Sequence, residues 1–141
     1  MPELHYKMAI ARTQSLIERA VDEGLQGTLI ELVARVVPRT PVASGAAKYH
    51  WFIRGVPDES FDKANTDTSG AAAIARARGD AASISAGATV WVLNSAPYSP
   101  LLEAGSSTQA PNGFLGITQA EAVPIFERAM RRAFEGRGVR K

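Results

Sequence analysis

The residues of this chain that could support acid–base or metal chemistry are few and far apart. The sequence contains two histidines, His5 and His50, and no cysteine. Without cysteine, disulfide bonds, thiolate catalysis, zinc–cysteine sites and iron–sulfur clusters are excluded. Neither histidine has a second histidine at metal-ligand spacing, so we interpret both as structural or solvated. The sequence also lacks the phosphate-binding, nucleophile-elbow and dinucleotide-binding glycine motifs.

Three carboxylates cluster in a polar stretch at residues 57–70: Asp58, Glu59 and Asp62. Catalytic carboxylates need burial to shift their pKa, and this stretch is typical of a solvated loop. One acid–base pairing can be named, His50 with Asp58 or Glu59, and it would make the protein a small hydrolase. We favour the solvated loop and predict no enzyme activity, no catalytic residue, no metal and no cofactor.

A second group of charged residues lies near the end of the sequence. It forms a basic face on a predicted final helix and continues beyond it: Arg128, Arg131, Arg132, Arg137, Arg140 and Lys141. Phosphates are attracted to such a stripe, which makes a small nucleic-acid-binding module the alternative function. Glu127 and Glu135 share the segment, no aromatic residues interleave to stack bases, and the net charge is only +2. A solvated helix face is therefore the favoured interpretation.

Length and composition are those of one domain covering residues 1–141. Domains most often contain about 100–150 residues, and one of this size buries a core without disulfides or metal. The first residues lack the uninterrupted apolar segment of a signal peptide. No stretch approaches the roughly 20 apolar residues of a membrane helix. We therefore predict a soluble protein made inside a cell, without membrane contact.

The hydrophobic pattern predicts an α+β domain, in which a long N-terminal amphipathic helix and a C-terminal helix pack on a small antiparallel sheet. Apolar residues recur every three or four positions over residues 9–36, which is the period of an amphipathic helix. Gly24 and Gly27 could break this helix, because glycine is unfavourable in a helix interior. Pro38 and Pro41 are expected to end it.

Shorter elements are predicted in the middle of the chain. Alternating apolar and polar residues predict a half-buried strand over residues 46–56, with His50 on its polar face. The β-branched residues of 89–94 predict a buried strand, and a third strand could join these two. Between them lie the polar loop at 57–70 and an alanine-rich helix at 71–83.

A second strong helix is predicted at the end of the domain. Thr118 and Glu121 have the spacing of a capping box at its start. Pro124 should kink this helix or restart it, and Gly136 should end it. Residues 136–141 then form a short basic tail.

Residues 94–116 combine turn-forming glycine and proline with apolar side chains. One or two helical turns are predicted from Pro100 to Ala104, ended by Gly105, and a tight turn at Asn112-Gly113. Two interpretations remain open for this segment. One is a loop held to the domain's own core by its apolar residues Tyr98, Leu101, Leu102 and Phe114. The other is a contact between subunits, made by polar residues without an evident core role: Glu103, Gln109 and Asn112.

Two short blocks of sequence resemble a known family. The first is Thr-Pro-Val-Ala-Ser-Gly at residues 40–45, followed by a strand that carries a tryptophan. The second contains, in order, Asn94, Pro97-Tyr98, Leu102-Glu103, Gly105, Gln109-Ala110-Pro111 and Gly113. In order and spacing the blocks resemble the tail-completion (neck) proteins of long-tailed bacteriophages. With the first and last helices, the resemblance covers most of the chain.

The chain departs from that family pattern at three positions. Ala43 stands where the family usually has Asp, and Ser44 where it usually has Thr, so side-chain capping by that Asp is missing here. Phe114 stands where the family often has Met, a change that an apolar contact tolerates.

The resemblance implies a non-enzymatic structural protein of the virion. It would be a minor tail component at the tail top or neck, assembled in the host bacterial cytoplasm, and act in tail completion or head–tail joining. The implied assembly is a ring, sixfold because the surrounding tail parts have that symmetry. Its implied partners are the tail terminator, the head–tail connector or other tail proteins. Contact with DNA or the tape-measure protein in the tail lumen is compatible with that position.

The composition of the domain agrees with self-assembly, since an apolar, turn-rich loop and an exposed helix can pack head-to-tail against further copies. Such heterologous contacts close into rings. As a hypothesis, we place six residues at or beside protein contacts: Trp51, Tyr98, Glu103, Gln109, Pro111 and Asn112.

Overall fold

The longest element is a single helix, α1, which spans Pro2–Arg39. The structure is a computed structural model that describes residues 2–138, with side chains from residue 12 onward. The 38 residues of α1 correspond to a length of about 57 Å at 1.5 Å per residue. Pro38 lies in its last turn, so the predicted end of this helix at the prolines is confirmed.

The break considered at Gly24 and Gly27 is absent, because α1 continues through both glycines. The reason is tertiary. A Cβ at Gly24 would collide with the Met130 sulfur, and a Cβ at Gly27 would lie 3.6 Å from the Cβ of Ala129. These glycines therefore let a second helix approach α1 closely, and that packing compensates for their low helix propensity.

The sheet consists of two short antiparallel strands, β1 at Trp51–Arg54 and β2 at Trp91–Asn94. Trp51 is paired with Asn94 and Arg54 with Trp91. No third strand exists within residues 2–138. The strand predicted at 89–94 is present, but it is not buried on both faces, because Trp91 is 47% exposed.

The strand predicted over residues 46–56 is only partly correct, because its first half is a helical turn, α2, at Ala46–Tyr49. Gly45 begins that turn with φ +89°, a conformation that other residues rarely adopt. A Cβ there would also lie 2.6 Å from the backbone of Asp67. The turn places Ala46 and Ala47 in the interior, where alternation alone would have left one of them outside.

Four further helices complete the described part of the chain: α3 at Ala71–Ala81, α4 at Ser99–Glu103, α5 at Leu115–Ala120 and α6 at Ala122–Gly136. The alanine-rich helix, the helical turns before Gly105 and the end of the last helix at Gly136 are confirmed. The basic tail continues from there, and its last three residues, 139–141, lie outside the described part.

The final helix is divided in two at Glu121, and Pro124 lies in the first turn of α6, where a missing N–H is tolerated. The predicted capping box is wrong. Thr118 lies inside α5, where its hydroxyl donates to the Phe114 carbonyl at 2.8 Å. Glu121 instead accepts hydrogen bonds from arginines of α1, described below.

The core forms around α1, against which α6, α3 and β1 pack. Arg128 of α6 bonds Glu31 and Arg137 bonds Glu23, so α6 runs antiparallel to α1. The fully buried core joins three elements and the 94–116 segment through Val33, Val36, Val37, Trp51, Ile53, Ala73, Ala77, Ala81, Ala110 and Phe114. The predicted α+β class, with its long first helix, C-terminal helices and small antiparallel sheet, is confirmed.

The polar segment that links β1 to α3 contains no helix or strand. Its aspartates each accept a backbone N–H from two positions further on, at 2.9 Å: Asp58, Asp62 and Asp67. Asp67 also accepts the N–H of Ala72 at 2.8 Å, at the start of α3. The Ser69 hydroxyl, followed by that N–H, lowers the pKa of Asp67. Local hydrogen bonds thus give this loop a defined shape.

Candidate interaction site formed by residues 40–45 and 94–116

The two sequence blocks lie against each other, joined by the side chain of Gln109. The Val42 N–H donates to Oε1 of Gln109 at 2.9 Å, and Nε2 of Gln109 donates to the Val42 carbonyl at 2.7 Å. An open cleft of about 450 Å³ runs between the blocks, lined in part by Ser44, Tyr98 and Leu102. Gln109 therefore has a role within the chain, contrary to its interpretation as a residue without one.

Trp51 is a core residue and presents almost no surface, with 2% of its area exposed. Its indole N–H donates to the Thr40 hydroxyl at 2.9 Å, and that hydroxyl donates to the Val36 carbonyl at 2.8 Å. Its ring meets Phe114 edge to face, with centroids 6.2 Å apart. This burial corrects the placement of Trp51 at a protein contact: it fastens the first block to α1.

Glu103 holds the second half of the 94–116 segment together. Its carboxylate accepts three consecutive backbone N–H groups, from Phe114 at 2.9 Å, Leu115 at 2.7 Å and Gly116 at 3.0 Å. These are the free amides at the start of α5, so Glu103 caps a helix from a distant position. Gly113 makes this possible, because its φ is +79° and a Cβ would lie 2.6 Å from the Glu103 carbonyl oxygen.

The electrostatics of Glu103 agree with this capping role. Partial burial raises the pKa of the carboxyl group, but the three backbone amides outweigh burial, and the net pKa lies below the ordinary value. The interpretation that Glu103 lacks a role within the domain is therefore wrong. No local signal in the sequence reveals this role, because the amides that bond Glu103 lie 11 to 13 positions further along the chain.

The remaining motif residues divide between support and exposure. Asn94 donates to the Ala47 carbonyl at 2.7 Å and accepts the Ala96 N–H at 2.9 Å, so it links β2 to α2. Pro111 and Asn112 are exposed. Of the six residues predicted at protein contacts, the structure leaves four on the surface: Tyr98, Gln109, Pro111 and Asn112.

Exposed apolar side chains that the sequence did not single out lie on α4, α5 and α6. Leu101, expected to hold the loop to the core, is 66% exposed, and Phe126 of α6 is 41% exposed. Others are Leu115, Ile117 and Val123. No sequence signal distinguishes these residues from core residues, because an apolar position becomes buried only if another element covers it.

A groove of about 450 Å³ lies between β2 and the α4–α5 region. Its lining is mostly apolar and includes Val92, Leu93, Pro100, Phe114 and Leu115. Leu115 is partly exposed, while Phe114 is fully buried beneath it. This groove and the exposed leucines give the 94–116 segment an apolar surface.

The basic face of α6 is smaller than the sequence indicates. Arg128 bonds Glu31 at 3.2 Å, and Arg137 bonds Glu23, so both are paired with carboxylates of α1. Arg131 and Arg132 are exposed and have no ion-pair partner within the described part of the chain. Of the four predicted arginines that lie within the described residues, two therefore help to hold α6 on α1.

Glu121 makes charged contacts that the sequence did not reveal. It accepts from Arg39 at 2.6 Å and from Arg35 at 2.5 Å, and both arginines come from the last turns of α1. Arg39, followed by Arg35, lowers the pKa of Glu121. Arg35 also bonds Glu31 at 2.9 Å, so one network of charges spans the α1–α6 contact. The network fixes the junction between α5 and α6.

No acid–base pair forms around His50, which is 2% exposed and was expected on a polar strand face. Its Nδ1 lies 2.6 Å from the Ala46 carbonyl, its Nε2 lies 3.4 Å from the Asp62 N–H, and Phe61 packs 4.5 Å from its ring. No hydrogen bond joins it to Asp58 or Glu59 among the described residues. The hydrolase pairing is therefore not assembled.

The described residues form neither a metal site nor a membrane-spanning helix. Among the side chains that the structure describes, those of residues 12–138, no group of three histidine or carboxylate side chains could hold a metal ion. No helix in that part of the chain is both long and apolar enough to cross a membrane. Comparisons with protein families, with curated proteins and with solved structures give no match for this chain.

Proposed function

We propose that this chain is a non-enzymatic structural protein of a phage-like particle. It acts at the tail top or neck, in tail completion or head–tail joining, as one component of an oligomeric ring. The observation that carries the proposal is the hydrogen-bonded connection between the two sequence blocks. Gln109 joins them directly, and Trp51 and Glu103 fix each block to the core.

This connection supports a structural role because it uses polar side chains of the motif for contacts within the chain. Catalysis requires a positioned acid, base or nucleophile within reach of a substrate. Here the carboxylate of Glu103 and the carboxamide of Gln109 are occupied by backbone groups. The motif residues therefore shape a surface instead of reacting at one.

The surface they shape is apolar and partly exposed. Leu101, Leu115 and Ile117 lie on the short helices that Glu103 and Gly113 hold in place, and each is at least 41% exposed. Contiguous apolar surface of this kind commonly marks contacts with other proteins. A ring subunit needs two such surfaces on different sides, because a head-to-tail contact is heterologous.

The proposal can be tested by disrupting the gene that encodes this chain. With an early stop codon, electron microscopy should find heads and tails that are not joined, or tails with an unfinished end. Wild-type protein supplied from a plasmid should restore joined particles, and mass spectrometry should detect the chain in purified tails. Normal, joined particles that lack the chain would refute the proposed function.

A surface variant can locate the contact in the same assay. We expect Leu101→Glu to fold normally but to restore few particles, because it places a charge in the proposed interface. Val56→Glu is the matched control, since Val56 is 74% exposed and lies in the loop after β1. Equal complementation by both variants would remove α4 from the interface.

A further inference from the structure

The N-terminal half of α1 extends as a helical arm, defined here as residues 2–19. Its 18 residues correspond to about 27 Å of helix at 1.5 Å per residue. From Arg12 to Arg19, every side chain except Ser15 is exposed, so the helix is open to solvent around most of its circumference. Most of the stability of a helix in a protein comes from tertiary packing of its apolar face. A partner that packs on the arm would therefore stabilise it.

The arm carries an apolar strip that continues the contact between α1 and α6. Ala20 is fully buried, and Gly24 contacts Met130 of α6. Leu16 and Ile17 lie four and three residues before Ala20, which places them on the same side of α1. They are 38% and 41% exposed. The side of α1 that packs on α6 thus continues into the arm without a cover.

The first turns of α6 present an apolar strip of their own. Val123 and Phe126 are three residues apart and therefore neighbours on one side of the helix. They are 66% and 41% exposed, although the same helix buries Ile125 and Ala133 completely or almost so. Within one chain α1 leaves this part of α6 uncovered.

We infer that the arm of one copy packs on the Val123–Phe126 strip of a second copy. The argument is continuity: Phe126 lies one helical turn before Met130, the α6 residue that this side of α1 already contacts at Gly24 within each chain. An α6 from a neighbouring copy therefore presents an apolar helix surface of the same kind. The contact is head-to-tail, so every copy offers one arm and accepts another, as a closed ring requires. The inference rests on the self-assembly that the proposed function contains.

Light scattering on purified variants, across a concentration series, tests this contact. Ile17→Glu changes the arm, Val123→Glu changes the strip, and Val56→Glu is a matched control on another surface. We expect the wild type and the control to self-associate. Each of the other two variants should associate at least about tenfold more weakly, the effect of losing an interface anchor. Circular dichroism checks their helix content, and Leu16→Glu and Phe126→Glu repeat the test if either variant unfolds.

The deciding measurement is an equimolar mixture of Ile17→Glu and Val123→Glu. One chain then retains an intact strip and the other an intact arm, so the mixture should form a 1:1 dimer that cannot grow. Separate monomers in the mixture would overturn the inference, since an intact arm and an intact strip would then have failed to bind each other.

Two other outcomes would also overturn the inference. One is undiminished association of both single variants, which would leave a ring formed through other surfaces. The other is a strictly monomeric wild type at the highest concentration. The particle assay described above still decides the proposed function in either case.

Discussion

Replacement of Glu103 by alanine removes one carboxylate that three consecutive backbone amides share. Two of these amides, those of Leu115 and Gly116, belong to exposed residues at the start of α5. The third belongs to Phe114, which is 2% exposed and packs against Trp51 in the core. The perturbation therefore uncaps a helix and leaves one buried N–H group without its acceptor.

The expected loss of stability follows from these two effects. An N-H group left unsatisfied in the interior costs about 1–3 kcal/mol. Loss of a helix N-terminal cap costs about 0.5–2 kcal/mol. Water can replace the carboxylate at the two exposed amides, so the effects do not add fully. We expect the free energy of unfolding to fall by about 2–3 kcal/mol in Glu103→Ala. Glu103→Gln keeps one acceptor oxygen and should lose about 1 kcal/mol.

Urea unfolding, followed by circular dichroism, measures this change. The matched control is Glu127→Ala, since Glu127 is exposed on α6 and has no ion pair within the described residues. We expect its free energy of unfolding to stay within about 0.5 kcal/mol of the wild-type value. A Glu103→Ala variant as stable as this control at pH 7 would refute the capping argument.

The pH dependence provides a second test of the same reasoning. The pKa of Glu103 in the folded chain lies below the ordinary value of 4.5, so its contribution is complete above that value. Below it the unfolded state binds the proton first, and the contribution is lost as the pH falls through the folded pKa. The gap between the wild type and Glu103→Ala should therefore narrow between pH 7 and pH 3. A constant gap would mean that the charge of Glu103 is not what stabilises the fold.

Three further variants test the packing around the same core. Gly24→Ala should lower the free energy of unfolding, measured in urea, by about 1–2 kcal/mol, because the cost of overpacking against Met130 exceeds the gain in helix propensity. A variant more stable than the wild type would contradict the close approach of α6 to α1. Gly79→Ala, with open space around its Cβ, should instead stabilise by about 0.5–1 kcal/mol, and a loss would show that α3 is covered there. Trp51→Phe should lower the free energy of unfolding by about 2 kcal/mol, because the hydrogen bond to Thr40 is lost and the ring is smaller. An unchanged midpoint of urea unfolding would exclude that hydrogen bond as a stabilising contact.

Much of the fold could be predicted because its signals are local. The 3.6-residue period of α1, the alanines of α3 and the proline–glycine punctuation around α4 each act within a few residues. Chain sterics ended α1 near Pro38, and Gly105 and Gly113 adopt the positive φ values that their turns require. Periodicity failed at residues 46–49, because the turn there begins with Gly45 packed against the distant backbone of Asp67.

The candidate site could be located by its motifs, but the roles of its polar residues could not. Glu103 and Gln109 looked free because their partners are not neighbours in sequence. Gln109 bonds Val42, 67 positions away, and Glu103 bonds a helix start that exists only once α5 has folded. The order and spacing of the motif residues indicated a shared structure. The hydrogen bonds of Glu103 and Gln109 hold that structure together.

The amino-acid sequence alone indicates the α+β class, the long first helix, the turns of the 94–116 segment and the lack of cysteine chemistry. These follow from local sterics, hydrophobic period and composition. Which charges are paired, and which apolar residues are left uncovered, is evident only in the folded chain. Arg128 meets Glu31 across 97 positions, while Arg131, three residues further along α6, stays in solvent. The physical reason is that burial and pairing depend on which elements pack together, and that choice is made by the whole chain.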